Sequence, residues 1–236
     1  MDHFHRIYAS QAAAYQAMIA PEDADGNLIK TLERLVPALR WPPEGYLAVD
    51  LGSGTGRLPK LLGARLPGMV ALEFSRAMLA EQAVQRQRMG GGWLLLQADM
   101  LHIPLRAGCA GLVTAGWAIG HLVGWEGAAW QAAIGAVLRE MARIARPGAA
   151  LVICETLSTG SLAPAPPHAG LAAYYAWLEG EWGFQRETIA TDYQFASPEE
   201  AAARTEFFFG AELAATIRSN GWARVPEWTG VWWKGV

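Results

Sequence analysis

The chain has 236 residues, and 52% of them are hydrophobic, so it can bury a large core. Its formal net charge is −3 and no basic run occurs, which argues against nucleic acid or an anionic membrane as a partner. Two cysteines, Cys109 and Cys154, are too few for a disulfide framework or a zinc cluster. The sequence shows neither a signal-peptide pattern nor a membrane-spanning stretch. We therefore expect a cytoplasmic protein.

The first elements are helical and precede the main sheet. Apolar periodicity predicts one helix over residues 6–20 and a second over 27–39. Residues 47–51 then form a short apolar run, which is typical of a buried parallel strand. A helix is predicted to begin shortly after Gly56, with Pro59 tolerated in its first turn.

Three glycines, Gly52, Gly54 and Gly56, separate this strand from the helix. Glycine allows a tight turn and close approach of a ligand, and a helix N-terminus favours polar or anionic groups. The dinucleotide fingerprint requires its third glycine at the position that Arg57 occupies, and the phosphate-loop Gly-Lys pair is absent. A tight turn without a ligand is the alternative interpretation.

Strands and helices alternate through the middle of the chain. Strands are predicted at 69–73, 93–97, 112–117 and 150–155, and helices at 75–89 and 128–145. This alternation indicates a parallel, doubly wound sheet. In the last third, helices are expected at 169–179, 198–209 and 211–219, and strands at 189–195 and 224–234.

Acidic residues follow the first three predicted strands. Glu73 ends the second strand, 73 − 50 = 23 residues after Asp50, and an acid there can accept two hydrogen bonds from a ribose diol. Asp99 follows the third strand. A solvated carboxylate at a strand end is the alternative for Glu73, and an aspartate in an ordinary turn is the alternative for Asp99.

The ordered set of Asp50-x-Gly52-x-Gly54-x-Gly56, Leu72-Glu73-Phe74-Ser75 and Ala98-Asp99 resembles the motifs of class I S-adenosylmethionine (SAM)-dependent methyltransferases. Among these it is similar to the small-molecule enzymes of the ubiquinone and menaquinone group. The family usually has an aspartate just before the fourth strand, where this chain has Cys109-Ala110-Gly111. The resemblance implies SAM as cofactor, held by Asp50, Gly52, Ser53, Gly54, Gly56, Glu73, Phe74, Met78, Asp99, Met100, Gly116 and Trp117.

The resemblance also implies an α/β, Rossmann-like doubly wound sheet. We expect about seven strands, mostly parallel with an antiparallel C-terminal strand, and helices on both faces. The whole chain, 1–236, is interpreted as one domain: N-terminal helices in 1–44, the cofactor-binding core in 45–157, and substrate-side helices with the last strands in 158–236.

The implied activity is methyl transfer from SAM to a small-molecule acceptor, with no metal. His121, after the fourth strand, is the first candidate for a general base, and Glu155 is the second. The predicted substrate-binding residues are His121 again and five aromatic residues, Tyr15, Tyr174, Tyr175, Trp177 and Tyr193. An NAD(P)-dependent oxidoreductase and a SAM-binding protein without catalysis are the alternatives. The sequence leaves O, N, S and C open as acceptor atoms, and it does not define the oligomeric state.

Overall fold

The computed structural model describes residues 3–236. The N-terminal region contains three α-helices, and a 3₁₀ turn over Pro37–Leu39 follows the last of them. The helices are α1 (His3–Ser10), α2 (Ala12–Ile19) and α3 (Asn27–Leu35).

Two predicted helix boundaries in this region were wrong. The helix expected over 6–20 is divided at Gln11, whose φ of −126° and ψ of 30° are not helical. The helix expected over 27–39 ends as an α-helix at Leu35. Val36, with φ −125° and ψ 82°, precedes Pro37, and the proline ring disfavours the helical conformation in the residue before it.

Five parallel strands form most of the main sheet, and α-helices connect all of them except β3 and β4, which a loop joins. The strands are β1 (Leu47–Leu51), β2 (Gly68–Glu73), β3 (Leu94–Gln97), β4 (Ala110–Gly116) and β5 (Ala145–Thr159). The connecting helices are α4 (Arg57–Leu62), α5 (Arg76–Met89), α6 (His121–Trp125) and α7 (Trp130–Ile144). Helix α6 was not predicted, because its five residues are too few for a helical apolar period to be recognised.

The C-terminal third completes the main sheet and adds a two-stranded ribbon. Its elements are α8 (Ala169–Gly180), β6 (Gln185–Ala190), β7 (Tyr193–Gln194), α9 (Pro198–Phe209), α10 (Ala211–Asn220), β8 (Arg224–Val225) and β9 (Glu227–Gly235). The main sheet has the order β3-β2-β1-β4-β5-β9-β6, and β7 pairs with β8. Strand β9 is antiparallel to both β5 and β6, so the predicted fold class is confirmed.

Two predicted strands are each divided. The strand expected over 189–195 is interrupted at Thr191 and Asp192, so that β6 joins the main sheet and β7 joins the ribbon. The strand expected over 224–234 is interrupted at Pro226, which has no backbone N–H to donate to a ladder. Strand β5 is longer than expected, since it begins at Ala145 and ends at Thr159, whereas the predicted strand covered 150–155.

The main sheet is buried on both faces. Successive residues of β4 face opposite sides: Val113 packs into the cluster with α7 and α8, and Leu112 packs into the cluster with α3 and α4. This alternation explains why the central strands are apolar without a polar period. The strand order changes direction between β1 and β4, and open α/β sheets bind ligands at the carboxyl ends of such strands.

Candidate active site

The loop after β1 lies at this point of the sheet, and its glycines have backbone angles that disfavour side chains. Gly52, Gly54 and Gly56 have φ values of 60°, 53° and 92°. A Cβ on Gly52 would lie 2.5 Å from the Cβ of Ala118, which belongs to the segment after β4. The loop therefore requires glycine both for its conformation and for its packing against that segment.

Glu73 holds the glycine loop against the start of α5. Its Oε2 accepts a hydrogen bond of 2.8 Å from the Gly54 N–H, and its Oε1 accepts one of 2.7 Å from the Ser75 N–H. The side chain is 8% exposed, and burial raises its pKa although both N–H donors oppose the rise. Each carboxylate oxygen has a second lone pair, so both can also accept a bond from a ligand.

Two of the predicted cofactor residues lie behind this loop. Asp50 is buried in β1, where its Oδ1 accepts a 2.6 Å hydrogen bond from the Thr114 hydroxyl. Burial raises the pKa of Asp50 to about 8, against the effect of that hydrogen bond. Gly56 faces Gln82 on α5, and a Cβ there would lie 2.8 Å from the Gln82 Cγ. Neither residue lines a cleft, and both support the loop from within.

A cleft of about 560 Å³ opens in front of the loop, and we call it the first cleft. Its volume lies within the range of about 300–1,000 Å³ that is usual for small-molecule sites. The Phe74 side chain is 74% exposed at its edge. The other predicted cofactor residues all line it: Gly52, Ser53, Gly54, Glu73, Phe74, Met78, Asp99, Met100, Gly116 and Trp117.

A second cleft, of about 870 Å³, lies beside the first, and we call it the second cleft. Four of the predicted substrate residues and the second candidate base line it: Tyr15, His121, Tyr175, Tyr193 and Glu155. Tyr174 and Trp177 line neither cleft. Tyr174 is fully buried in the core, and Trp177 packs edge-to-face on Trp130 at the margin of that core.

The two clefts share lining residues, and the sequence did not reveal all of them. Tyr8 and Arg57, which were not predicted, line both clefts together with Trp117, which was predicted as a cofactor residue. The Arg57 guanidinium forms an ion pair with Glu22 and lies 3.3 Å from the centroid of the Trp117 ring. Trp117 has a φ of 51°, which is rare for a bulky residue and is found at functional positions. Arg57 follows the third glycine directly, so its position in the motif was the available signal.

His121 also lines both clefts and begins α6. Its Nε2 lies 2.8 Å from the Tyr8 hydroxyl, and its ring stacks on Trp125 with centroids 4.9 Å apart. Phe4 contacts the same ring, with centroids 5.2 Å apart. The imidazole is therefore fixed between α1 and α6 at the junction of the two clefts.

Comparisons with known proteins agree with this architecture. Residues 49–153 match a protein family described as a methyltransferase domain. The chain is 29% identical over 154 residues to a malonyl-[acyl-carrier protein] O-methyltransferase of Yersinia pestis, with 64% of the chain and 51% of that protein aligned. It is 28% identical over 196 residues to a 2-phytyl-1,4-naphtoquinone methyltransferase of Thermosynechococcus vestitus, with 79% and 76% aligned. The alignment thus spans about half the length of the first relative.

A solved structure shares the fold. The YcgJ protein of Bacillus subtilis superimposes with a TM-score of 0.55 at 12% identity, over 89% of this chain and 96% of that one. The strand order, the glycine loop at the switch point and the family match lead to one assignment. Residues 49–153 match a methyltransferase domain on the strand order of a class I fold, and the resemblance predicted from the motifs is confirmed. This match implies SAM as the methyl donor.

None of the helices within residues 3–236 is long and apolar enough to cross a membrane. Within the same residues, no group of three or more His, Cys, Asp or Glu side chains is placed to hold a metal ion.

Proposed function

We propose that the protein transfers a methyl group from SAM to a small-molecule acceptor, and that the whole chain acts as one domain. The observation that carries this proposal is the junction of the two clefts at Arg57, Trp117 and His121. A donor in the first cleft and an acceptor in the second would meet at these side chains.

The first cleft fits the chemistry of SAM. Glu73 offers carboxylate lone pairs to a ribose diol, and Asp99 offers them to an adenine amino group. Phe74 and Met78 present apolar surface on which a purine can pack. Gly52 and Gly54 leave the backbone of the loop open toward the cleft.

When bound, SAM supplies a methyl carbon to which the acceptor's lone pair bonds while the carbon–sulfur bond breaks and its electron pair returns to sulfur. The task of this chain is to hold the acceptor in line and to exclude water. Such positioning can supply roughly 7–11 kcal/mol of the barrier. His121 lies where it can accept a proton that the acceptor loses, and Glu155, in the second cleft, is the other candidate for this role.

The proposal includes a cytoplasmic location and a metal-independent reaction. A cytoplasmic location fits the free thiols of Cys109 and Cys154, since thiols persist in a reducing compartment. We propose a metal-independent reaction, so activity should survive an excess of EDTA. A rate that is lost with EDTA and restored by Mg²⁺ would contradict this part of the proposal.

Calorimetric titration tests the proposal directly. SAM and its demethylated product should bind with Kd values on the order of 10⁻⁶ M, or roughly 8 kcal/mol, whereas NADH should not bind. A methylation assay over amines, phenols, thiols and carboxylates then separates an enzyme from a SAM-binding protein without catalysis. Tight NADH binding without SAM binding would overturn the proposed function.

A further inference from the structure

Aromatic rings form part of the lining of the second cleft. They come from α1, α2, α6, α8 and α9, so they surround the cleft rather than form one face of a single helix. Six of them are Phe4, Tyr8, Tyr15, Trp125, Tyr175 and Phe208. Aromatic faces carry negative charge density, and they attract a cation that lies within about 6 Å.

Glu155 brings a carboxyl group to the same cleft. It lies in β5 and is 5% exposed. Its Oε1 accepts a 2.8 Å hydrogen bond from the Gly120 N–H, and no donor among residues 3–236 reaches its Oε2. A Cβ on residue 120 would lie 3.0 Å from that Oε2, so the carboxyl packs closely against this glycine.

Among residues 3–236, no cationic side chain pairs with the Glu155 carboxyl. Burial raises its pKa to about 8, although the Gly120 N–H opposes the rise. The cationic side chain in the same cleft, Arg57, is already paired with Glu22 and stacked on Trp117. An anionic ligand would therefore have to compete with Glu22, whereas a cationic ligand would find Glu155 available.

We propose that the second cleft binds an acceptor with a basic amine on an apolar or aromatic body, and that the amine lies against Glu155. This inference rests on the proposed function, because it names the acceptor class for that site. The ammonium would be held by the carboxylate and by the faces of the surrounding rings. Its N–H bond would then break as an O–H bond forms on Glu155. That transfer leaves a neutral amine with a free lone pair and a neutral carboxyl.

Three small probes that differ in charge test the proposal. Phenethylamine, 2-phenylethanol and 3-phenylpropionate share an aromatic ring and a two-carbon linker, and they carry a positive charge, no charge and a negative charge. Their Kd values would be measured by calorimetry on the full chain, with the demethylated cofactor present. We expect phenethylamine to bind about tenfold or more tightly than 2-phenylethanol, and 3-phenylpropionate to bind most weakly.

The variant Glu155→Gln should abolish the preference for the amine while leaving the Kd of 2-phenylethanol within about threefold of wild type. Glu199→Gln, on the exposed surface of α9, changes the net charge equally and should leave all three Kd values unchanged. If Glu155→Gln does not fold, as judged by circular dichroism, Glu155→Asp replaces it and should reduce the preference, because its carboxyl is withdrawn by one methylene.

Three results would overturn the proposal: an amine that binds no better than the alcohol, a preference that survives in the Glu155 variant, or tightest binding of 3-phenylpropionate. The last result would assign ligand recognition to Arg57 instead. A SAM titration on the same samples tests the proposed function separately from the acceptor class. Normal SAM binding with no preference for the amine refutes only the acceptor class, whereas absent SAM binding refutes the proposed function.

Discussion

The Tyr8 hydroxyl lies 2.8 Å from the Nε2 atom of His121, and this hydrogen bond joins the first helix to the junction of the two clefts. The residues are 113 positions apart in the chain. The bond orients the imidazole that we propose as the base, so Tyr8 is a positioning residue for that role. Helix α1 therefore contributes to the site through a specific contact as well as by covering it.

Replacing His121 should slow the chemical step. We expect His121→Ala to lower the single-turnover rate of methyl transfer by about tenfold or more, since general-base assistance is typically ~10²–10⁴-fold. SAM affinity should change little. If the rate and the SAM affinity both stay near wild type, the general base is Glu155 or the reaction uses none. If SAM binding collapses instead, His121 belongs to the cofactor site.

Removing the Tyr8 hydroxyl should have a smaller effect. Tyr8→Phe deletes a hydrogen bond worth about 0.5–1.5 kcal/mol, which corresponds to a loss in rate of roughly 2- to 10-fold with SAM affinity unchanged. The double variant supplies the control. If Tyr8 acts through His121, Tyr8→Phe should have no further effect on rate in the His121→Ala background, whereas additive losses would show that the two residues act independently.

Glu73 should be needed for cofactor affinity more than for folding. We expect Glu73→Ala to weaken SAM binding by about 10- to 100-fold, because bonds to a charged acceptor contribute about 1.5–3 kcal/mol. Glu73→Gln should be milder, since it keeps one acceptor oxygen. Glu199→Gln, on the exposed surface of α9, is the charge-matched control. Titration gives the affinity and thermal unfolding the stability, and unchanged affinity in Glu73→Ala would exclude this carboxylate as a ligand group.

The sequence predicted the ends of the first two strands better than the ends of the N-terminal helices. A buried parallel strand is apolar throughout, and an acid or a glycine ends it, so β1 and β2 were recognised within a residue. No local feature of the sequence predicts the helix break at Gln11, since glutamine is a good helix former. Tertiary contacts decide it, because α1 and α2 must both reach the cleft.

Gly52 and Gly45 form a matched pair for testing the loop. Both have positive φ values, 60° and 67°, but a Cβ on Gly45 meets no atom within 4 Å. Gly45→Ala should therefore cost only the left-handed backbone penalty of about 1–2 kcal/mol. Gly52→Ala adds the 2.5 Å contact with Ala118, so it should be less stable and should bind SAM more weakly. Equal melting temperatures and equal SAM affinities in the two variants would show that the loop tolerates a side chain.

The cofactor residues were easier to predict than the acceptor residues for a physical reason. The cofactor residues follow the ends of consecutive strands, so that one short motif places several of them side by side. Most of them line the first cleft. The second cleft is assembled from helices far apart in the chain, so residues such as Phe208 gave no pattern. Tyr174, Tyr175 and Trp177 all lie on α8, and only the side of that helix on which each residue lies decides that Tyr175 alone of the three lines the second cleft.

Asp50 should make stability depend on pH. Its pKa is about 8 in the folded chain, against an ordinary value of 3.8, so the folded state holds a proton that the unfolded state loses. The free energy of unfolding should therefore fall as pH rises from about 4 to 8 and then level off, and each pKa unit corresponds to about 1.4 kcal/mol. Asp50→Asn lacks this proton and keeps an acceptor for Thr114. Between pH 5 and pH 8, the free energy of unfolding of Asp50→Asn, measured in urea, should rise relative to that of wild type by at least about 1.4 kcal/mol. Wild-type and variant curves that stay parallel over this range would show that Asp50 is already ionised in the fold.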